Sequence, residues 1–200
     1  MTQATMTILS APISEDSLRM LFKYFNRLMV LMWRLGFERY FNGSTFAGYI
    51  MVLKHHGRKS GKSYHTPVNF VRMDGDIFCM AGFGEHSDWY LNLQSNPEVE
   101  VWLPDGRWSG TAEVLAGAEN QLLILRQLII ASGFAAPAFG LHLDRMTELD
   151  LEKLLESYRL VRIRRNSALT GAGGPGDLAW VWPYTTLALL LLLVFRRRRK

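Results

Sequence analysis

Cysteine is nearly absent from this sequence, because Cys79 is the single thiol in 200 residues. An internal disulfide is therefore excluded, and nothing in the composition requires an oxidising compartment. Since Cys79 falls within a short β-prone run, we interpret it as a core residue. The N-terminus also lacks a basic segment followed by an apolar run and a small-residue cleavage site, so we expect the domain to fold in the cytosol.

Outside its C-terminal end, the chain also lacks a net charge. Of the 23 lysines and arginines, five form the C-terminal cluster 196–200, and the others are balanced by 18 aspartates and glutamates. A nucleic-acid-binding domain normally carries a basic face throughout, so this balance argues against one. A length of 200 residues with 48% hydrophobic content fits one domain of ordinary size plus an appendage.

Two familiar ligand-binding patterns are incomplete. Gly57 and Gly61 enclose three residues rather than the four of a nucleotide P-loop, and their turn joins two predicted strands instead of leading into a helix. His55 and His56 are adjacent on a predicted strand and so point to opposite faces, with no cysteine or spaced carboxylate to complete a metal site. We therefore expect neither a P-loop nor a bound metal.

Short runs with period-two alternation, separated by turn residues, predict six or so mostly antiparallel strands. The predicted strands are 49–55, 63–72, 76–81, 99–103, 107–114 and 160–164, and the predicted helices are 14–32, 88–96, 119–132 and a capped helix at 147–156. This order favours the α+β class, with a small barrel and flanking helices, over a parallel α/β sheet.

Local signals predict further details of these elements. Asp74-Gly75 tolerates the positive φ values of a two-residue hairpin turn. Asp88 suits the N-cap of the short helix that follows it. Val68 and Phe70, together with Tyr64 and Thr66, alternate with other residues, so we expect them to share one face of the second strand.

The helix at 14–32 combines apolar side chains at helical spacing with basic residues mostly off the apolar face. Two interpretations stay open at this point, a helix that covers the domain core or a basic amphipathic helix that rests on a membrane surface. We expect residues 1–13 to be flexible and the folded domain to run from 14 to 165.

The C-terminal part differs in composition. Residues 166–177 form a glycine-rich linker, and residues 178–195 carry no charge between an aromatic end and the basic cluster 196–200. A helix of that length would measure about 27 Å, just adequate for a bilayer core. Basic clusters favour the cytoplasmic side, so we predict membrane association through 178–200 with the chain end on the cytosolic face. Spanning and interfacial geometries both stay open.

Two features between residues 53 and 93 indicate a bound small molecule. The turn Gly57-Arg58-Lys59-Ser60-Gly61-Lys62 places cations beside backbone amides, a combination that can hold a phosphate. Downstream, the loop Gly82-Phe83-Gly84 and the indole of Trp89 would let a flat ring approach the backbone closely. Together they predict a phosphorylated aromatic cofactor.

The order of these motifs resembles the deazaflavin-dependent nitroreductase family, within the split β-barrel flavin and deazaflavin oxidoreductases. The matching segments are 57–62, 66–67, 74–76, 81–84, 89–93 and 96–99, all within about residues 49–115. The resemblance implies reduced coenzyme F420 as the cofactor, hydride transfer to a quinone, nitro or activated-alkene acceptor, and a homodimer as the assembly.

The resemblance also implies which residues bind the cofactor. The phosphate and acidic-tail site falls on Arg58, Lys59, Ser60, Gly61 and Lys62. The ring environment falls on Pro67, Ala81, Gly82 and Trp89, and the loop around it includes Phe83 and Gly84. No catalytic residue follows, because the cofactor supplies the hydride and the protein chiefly holds the acceptor.

The sequence departs from the family pattern in two places, at residue 64 and at residues 82–83. Tyr64 stands where the family often has an arginine, and Gly82 and Phe83 stand where it often has a serine and a lysine. FMN therefore stays open as the alternative cofactor, and so does a non-enzymatic protein that binds a flavin or deazaflavin. We favour a quinone as the acceptor, because attachment to the cytoplasmic face of the cell membrane would bring the barrel close to lipid-soluble quinones.

Overall fold

The computed structural model describes residues 15–43, 48–115 and 120–198, without the side chains of 15–22, 41 and 198. The predictions for residues 1–13 lie outside this part of the chain. The strands are β1 Ile50–His56, β2 Ser63–Met73, β3 Asp76–Ala81, β4 Glu98–Leu103, β5 Gly106–Val114 and β6 Arg159–Ala168. The helices are α1 Glu15–Arg34, α2 Glu38–Phe41, α3 Asp88–Ser95, α4 Gln121–Ala131, α5 Ala135–Ala138, α6 Glu148–Ser157 and α7 Val181–Arg198.

The six strands form a closed barrel in the order β1-β2-β3-β6-β5-β4, and every neighbouring pair is antiparallel. β6 is the last strand in the sequence, and it closes the barrel by pairing with both β3 and β5. The predicted α+β barrel with flanking helices is therefore confirmed.

The barrel interior is filled by alternate residues of the strands, as the period of two requires. On β1, Met51 and Leu53 are fully buried in this interior. Their partners across the β1–β2 ladder are Val68 and Thr66, and Phe70 follows on the same face of β2. The predicted inward face of the second strand is thus confirmed.

Two further clusters lie outside the barrel wall. The larger packs α4 and α6 against Phe78 and Leu160, which point outward from β3 and β6. The smaller packs Trp33 of α1 against Val52 and Trp102 on the other side of the wall. The helices therefore stabilise the barrel by covering apolar residues that its outward-facing positions expose.

Two local predictions have different outcomes. Asp74 and Gly75 have φ values of 52° and 87°, so the predicted tight hairpin turn is confirmed. The predicted N-cap is wrong, because Ser87 occupies the cap position of α3 and Asp88 is the first helical residue. The Asp88 carboxylate instead accepts a hydrogen bond from Arg58, at 3.1 Å.

The chain after β6 is attached to the barrel. β6 ends at Ala168, three residues beyond the expected end of the domain at 165. We refer to residues 169–178 as the C-terminal strap. At its start, the Leu169 amide donates to the Arg107 carbonyl, and at its end the Leu178 amide donates to the Arg34 carbonyl, each at 2.8 Å. α7 follows, and among the described residues no helix is both long enough and apolar enough to cross a membrane.

Candidate functional site

The basic turn between β1 and β2 is closed by its own backbone. The Gly57 amide donates to the Lys62 carbonyl at 2.9 Å, and the Gly61 amide donates to the Gly57 carbonyl at 2.8 Å. Gly61 has a φ of +64°, a conformation that glycine adopts without strain. Lys59 and Lys62 are both exposed, so the turn presents two cations to solvent.

Arg58 faces α3. Its guanidinium donates from Nη1 to Asp88 Oδ1 and to Asn92 Oδ1, both at 3.1 Å, and its backbone amide donates to the same Asn92 oxygen at 3.0 Å. The Arg58 side chain is 25% exposed. Arg58 therefore fastens the turn to α3, while Lys59 and Lys62 are exposed to solvent.

A buried histidine is bonded to Asn92, the residue of α3 that holds Arg58. His55 points into the end of the barrel and is 2% exposed. Asn92 Nδ2 donates to His55 Nδ1 at 3.2 Å, so Nε2 carries the ring proton and donates to Thr66 Oγ1 at 3.1 Å. Burial, with a smaller effect from His65 and His56, lowers the pKa of His55 to about 4, so the ring is neutral at neutral pH.

Tyr64 lies over the same histidine. The two rings stack with centroids 5.9 Å apart, and Tyr64 Oη is 3.1 Å from Ser60 Oγ. A Cβ added at Gly57 would meet both Tyr64 and Ser60 at 2.7 Å, so a larger residue there would require these two side chains to shift. Tyr64 thus takes part in the internal structure of the turn, at the position where the family often has an arginine.

The glycine loop places its residues in different surroundings. Ala81 is fully buried in the barrel interior, whereas Phe83 is exposed. A Cβ added at Gly82 would meet nothing within 4 Å, but one at Gly84 would overlap the Ser157 carbonyl oxygen. Open space for a ligand is therefore available at Gly82, while Gly84 is needed for close packing.

Trp89 and Pro67 lie apart from each other. Trp89 is on α3, partly buried and packed against the barrel core. Pro67 pairs with Val52 on the outward face of the β1–β2 ladder, on the side where His65 contacts the Trp102 ring at 5.0 Å. The turn, the glycine loop and Trp89 are brought together through α3, and Pro67 belongs to the adjacent outer wall.

The arrangement suits an anionic group with a flat ring. Lys59 and Lys62 offer charge-assisted contacts to phosphate, and Gly82 leaves room for close approach to the backbone. Ser87 Oγ, at the start of α3, is buried and has no hydrogen-bond partner among the described residues. The residues present therefore fit a phosphorylated aromatic cofactor on chemical grounds.

Comparison with known proteins identifies the family. The model of the F420H(2)-dependent quinone reductase family matches residues 35–136, a little over half of the chain. The chain belongs to the F420H(2)-dependent quinone reductase family. The matched region contains the basic turn, the glycine loop and α3, so the family predicted from the sequence is confirmed. F420 is the cofactor in the description of this quinone reductase family, and FMN gains no support.

Individual relatives are more distant. Rv3178 of Mycobacterium tuberculosis, which is named for the same activity, is 29% identical over 76 residues, covering 36% of this chain and 64% of that protein. The match thus spans just under two thirds of this quinone reductase relative. The F420-H2-dependent reductase FDR-A is 24% identical with a TM-score of 0.41, over 57% of this chain and 93% of that chain. Atu2129 of Agrobacterium tumefaciens, of unknown function, is 23% identical with a TM-score of 0.44, over 66% and 55%.

The sequence did not reveal His55 and Asn92 as parts of the site. One signal was available, since His55 shares the alternation of Met51 and Leu53 and must therefore point inward on β1. Its partner Asn92 could not be found in this way, because α3 is 37 residues further along the chain.

Proposed function

We propose that this protein is a membrane-attached reductase that transfers a hydride from reduced F420 to a quinone, nitro or activated-alkene acceptor. The observation that carries the proposal is the basic turn, fastened to α3 by Arg58 and Asn92 with Lys59 and Lys62 left facing solvent. Family membership supplies the cofactor, and the turn supplies a site of the right charge for its phosphate and acidic tail.

Each part of the site has a distinct role in this proposal. Lys59 and Lys62 hold the phosphate and the acidic tail, and Ser60 and Gly61 shape the backbone between them. Gly82 leaves room for the ring, and Trp89 borders it from α3. Bound F420H2 supplies the hydride, and the chain contributes binding, orientation and exclusion of water. Arg58 acts indirectly, because its guanidinium is bonded to Asp88 and Asn92.

Attachment to the membrane rests on the surface of α7. Eight apolar residues of this helix are each about half exposed or more: Leu187, Leu189, Leu190, Leu191, Leu192, Leu193, Val194 and Phe195. A contiguous apolar surface of this kind marks an interaction site, and the arginines that follow it complement anionic headgroups. We propose attachment at the cytoplasmic face, where a lipid-soluble quinone is the acceptor within reach.

The cofactor role of the turn is tested by replacing Lys59 and Lys62 with alanine. The F420 affinity should weaken by roughly 1 to 3 kcal/mol for each lost charge-assisted contact, measured by titration of cofactor fluorescence. The melting temperature should stay nearly unchanged, because both lysines are exposed. Lys153→Ala, an exposed lysine on α6, is the matched control. Unaltered F420 affinity in the double variant would remove the phosphate role.

Activity needs a separate test, because a protein that binds F420 without catalysis is the rival function. Tyr64, which stands where the family often has an arginine, is stacked on His55. Purified protein mixed with reduced F420 and a menaquinone analogue should oxidise the cofactor over many turnovers. Stable binding with no oxidation of F420H2 would favour the carrier function instead.

The position of the chain end is tested in intact cells. A cysteine added after Lys200 should stay hidden from a membrane-impermeant thiol reagent, while Cys79 is fully buried and contributes no signal. Ready labelling of the added cysteine would mean that the tail crosses the membrane.

A further inference from the structure

The first helix turns apolar side chains away from the barrel. On the barrel side of α1, Trp33 is 2% exposed and packs with Val30 against the wall. On the opposite side, Tyr24, Leu28 and Leu31 recur at spacings of four and three residues, and they are 61%, 54% and 44% exposed. The apolar residues of α1 are therefore divided between two faces, and covering the core accounts for one of them.

The charges around this outward apolar stripe have one sign. Arg27, four residues before Leu31, is exposed and lies beside it on the helix surface, and Lys23 is exposed one turn earlier. No acidic residue occurs between residues 17 and 37. A helix with an outward apolar face and a basic flank has the pattern of a helix that lies at the surface of an anionic membrane.

α1 and α7 are held next to each other by the C-terminal strap. Asp177 accepts hydrogen bonds from Arg34 Nε and Nη2 at 3.0 and 2.9 Å. The indole of Trp182, near the start of α7, donates to the Leu35 carbonyl at 2.9 Å and packs edge-on against Phe37 at 5.2 Å. The apolar tail therefore leaves the domain at the C-terminal end of α1.

We infer that α1 is a second membrane-contacting surface, in which Tyr24, Leu28 and Leu31 enter the interface of the same anionic bilayer that receives α7. This inference rests on the proposed attachment through α7. Two contacts held together by the strap give the barrel a fixed orientation on the membrane, whereas a flexible linker would leave it free to turn. The charged residues of α1 beyond residue 17 and those at the end of α7 are all basic, and both groups accompany exposed apolar residues, so anionic lipid is the partner that the surface fits.

The inference is tested with the full chain carrying a single environment-sensitive fluorophore. Leu28→Cys and Leu187→Cys are labelled with NBD, and buried Cys79 stays in place. Glu152→Cys, exposed on α6, is the matched control. On addition of vesicles of phosphatidylcholine and phosphatidylglycerol, labels at 28 and 187 should both shift to the blue, and the label at 152 should not.

The outcomes separate the inference from the proposed function. A shift at 187 without one at 28 overturns the role of α1 and leaves attachment through the tail. No shift at either position overturns both membrane statements, while the F420 titration stands on its own. A shift at 28 that appears without vesicles as the protein concentration rises makes a second copy of the chain the occupant, and it overturns the inference.

A charge variant provides a second measurement. Leu28→Glu with Leu31→Glu should lower the partition onto these vesicles by at least about tenfold. The reason is that two leucines which enter the membrane interface are replaced by charged side chains. Leu123→Glu with Leu149→Glu changes two equally exposed leucines on α4 and α6 and should leave partition unchanged. Equal partition of the two double variants would overturn the inference.

Discussion

Two segments of this chain, the turn at 57–62 and the strap at 169–178, are both rich in glycine but lie in opposite environments. In the turn, Asn92 Oδ1 accepts a hydrogen bond from the Arg58 backbone amide, and Lys59 and Lys62 are left in solvent. In the strap, Gly174 is buried against Arg107, whose Nη1 donates to the Ala172 carbonyl at 2.8 Å. Glycines beside a cation thus indicate a ligand site only where another element supports the backbone and the cation faces outward.

Removing the acid beneath the strap should give the largest effect. Glu100 is 9% exposed and bonds to Lys54 Nζ, Arg107 Nη2 and Trp102 Nε1 at 3.0, 3.2 and 2.8 Å. Glu100→Ala leaves two partly buried cations without their partner, so the free energy of unfolding should fall by about 3 to 5 kcal/mol, measured by urea denaturation. F420 affinity in the folded fraction should not change.

A control on the same strand sharpens this expectation. Glu98→Ala removes an exposed carboxylate from β4 and should change stability by less than about 0.5 kcal/mol. A Glu100→Ala variant as stable as Glu98→Ala would mean that the cluster under the strap contributes little.

Acid should destabilise the protein through protonation of His55, which lies next to the basic turn. Its pKa of about 4 in the folded protein lies below the value of about 6.5 of an unfolded chain, so the unfolded state binds the proton first. Stability should therefore fall as the pH drops from about 6.5 to 4, by no more than about 3 kcal/mol from this group. His55→Gln should flatten the stability profile over that window, measured by urea denaturation at each pH.

The matched variant for this test is His86→Gln, which changes an exposed imidazole near α3. Its stability profile should follow that of the wild type. His65, whose pKa burial also lowers, is present in every one of these proteins and contributes to the slope that remains. Equal slopes for His55→Gln and the wild type would show that His55 does not titrate as described.

The smallest expected change in stability comes from the glycine loop, where Gly82 and Gly84 should respond differently to substitution. Gly84→Ala should lower the free energy of unfolding by about 2 kcal/mol, since φ is +52° and the added methyl group meets the Ser157 backbone. Gly82→Ala has open space and should stay within about 0.5 kcal/mol while weakening F420 binding. Thermal melts with and without F420 measure both. If the two variants had equal stability, or equal affinity for F420, the assignment of Gly84 to packing and Gly82 to the ligand would be wrong.

The sequence predicted the barrel well because its signals are local. Alternation over β2, the Asp74-Gly75 turn and the reciprocal cap between Thr147 and Asp150 on α6 each depend on neighbouring residues. The cofactor could also be predicted from the sequence, because the family's motifs occur in a fixed order along one segment.

The missed features depend on pairs far apart in the chain. The partner of Arg58 lies 34 residues away, and that of Arg34 lies 143 residues away, so no window of sequence contains either pair. The spacing of the apolar residues in α1 predicted a helix. It did not predict which of these residues face the barrel, because that depends on the tertiary packing of Trp33.

The inward histidine of β1 also bears on how the barrel assembles. A slip of β1 by one residue against β2 would exchange its two faces and turn Lys54 into the core. The native alignment places the His55 ring between Thr66 of β2 and Asn92 of α3. Slow exchange of the His55 ring proton should therefore begin only when α3 has packed against the β1–β2 hairpin, which makes this proton a reporter of that packing step during refolding.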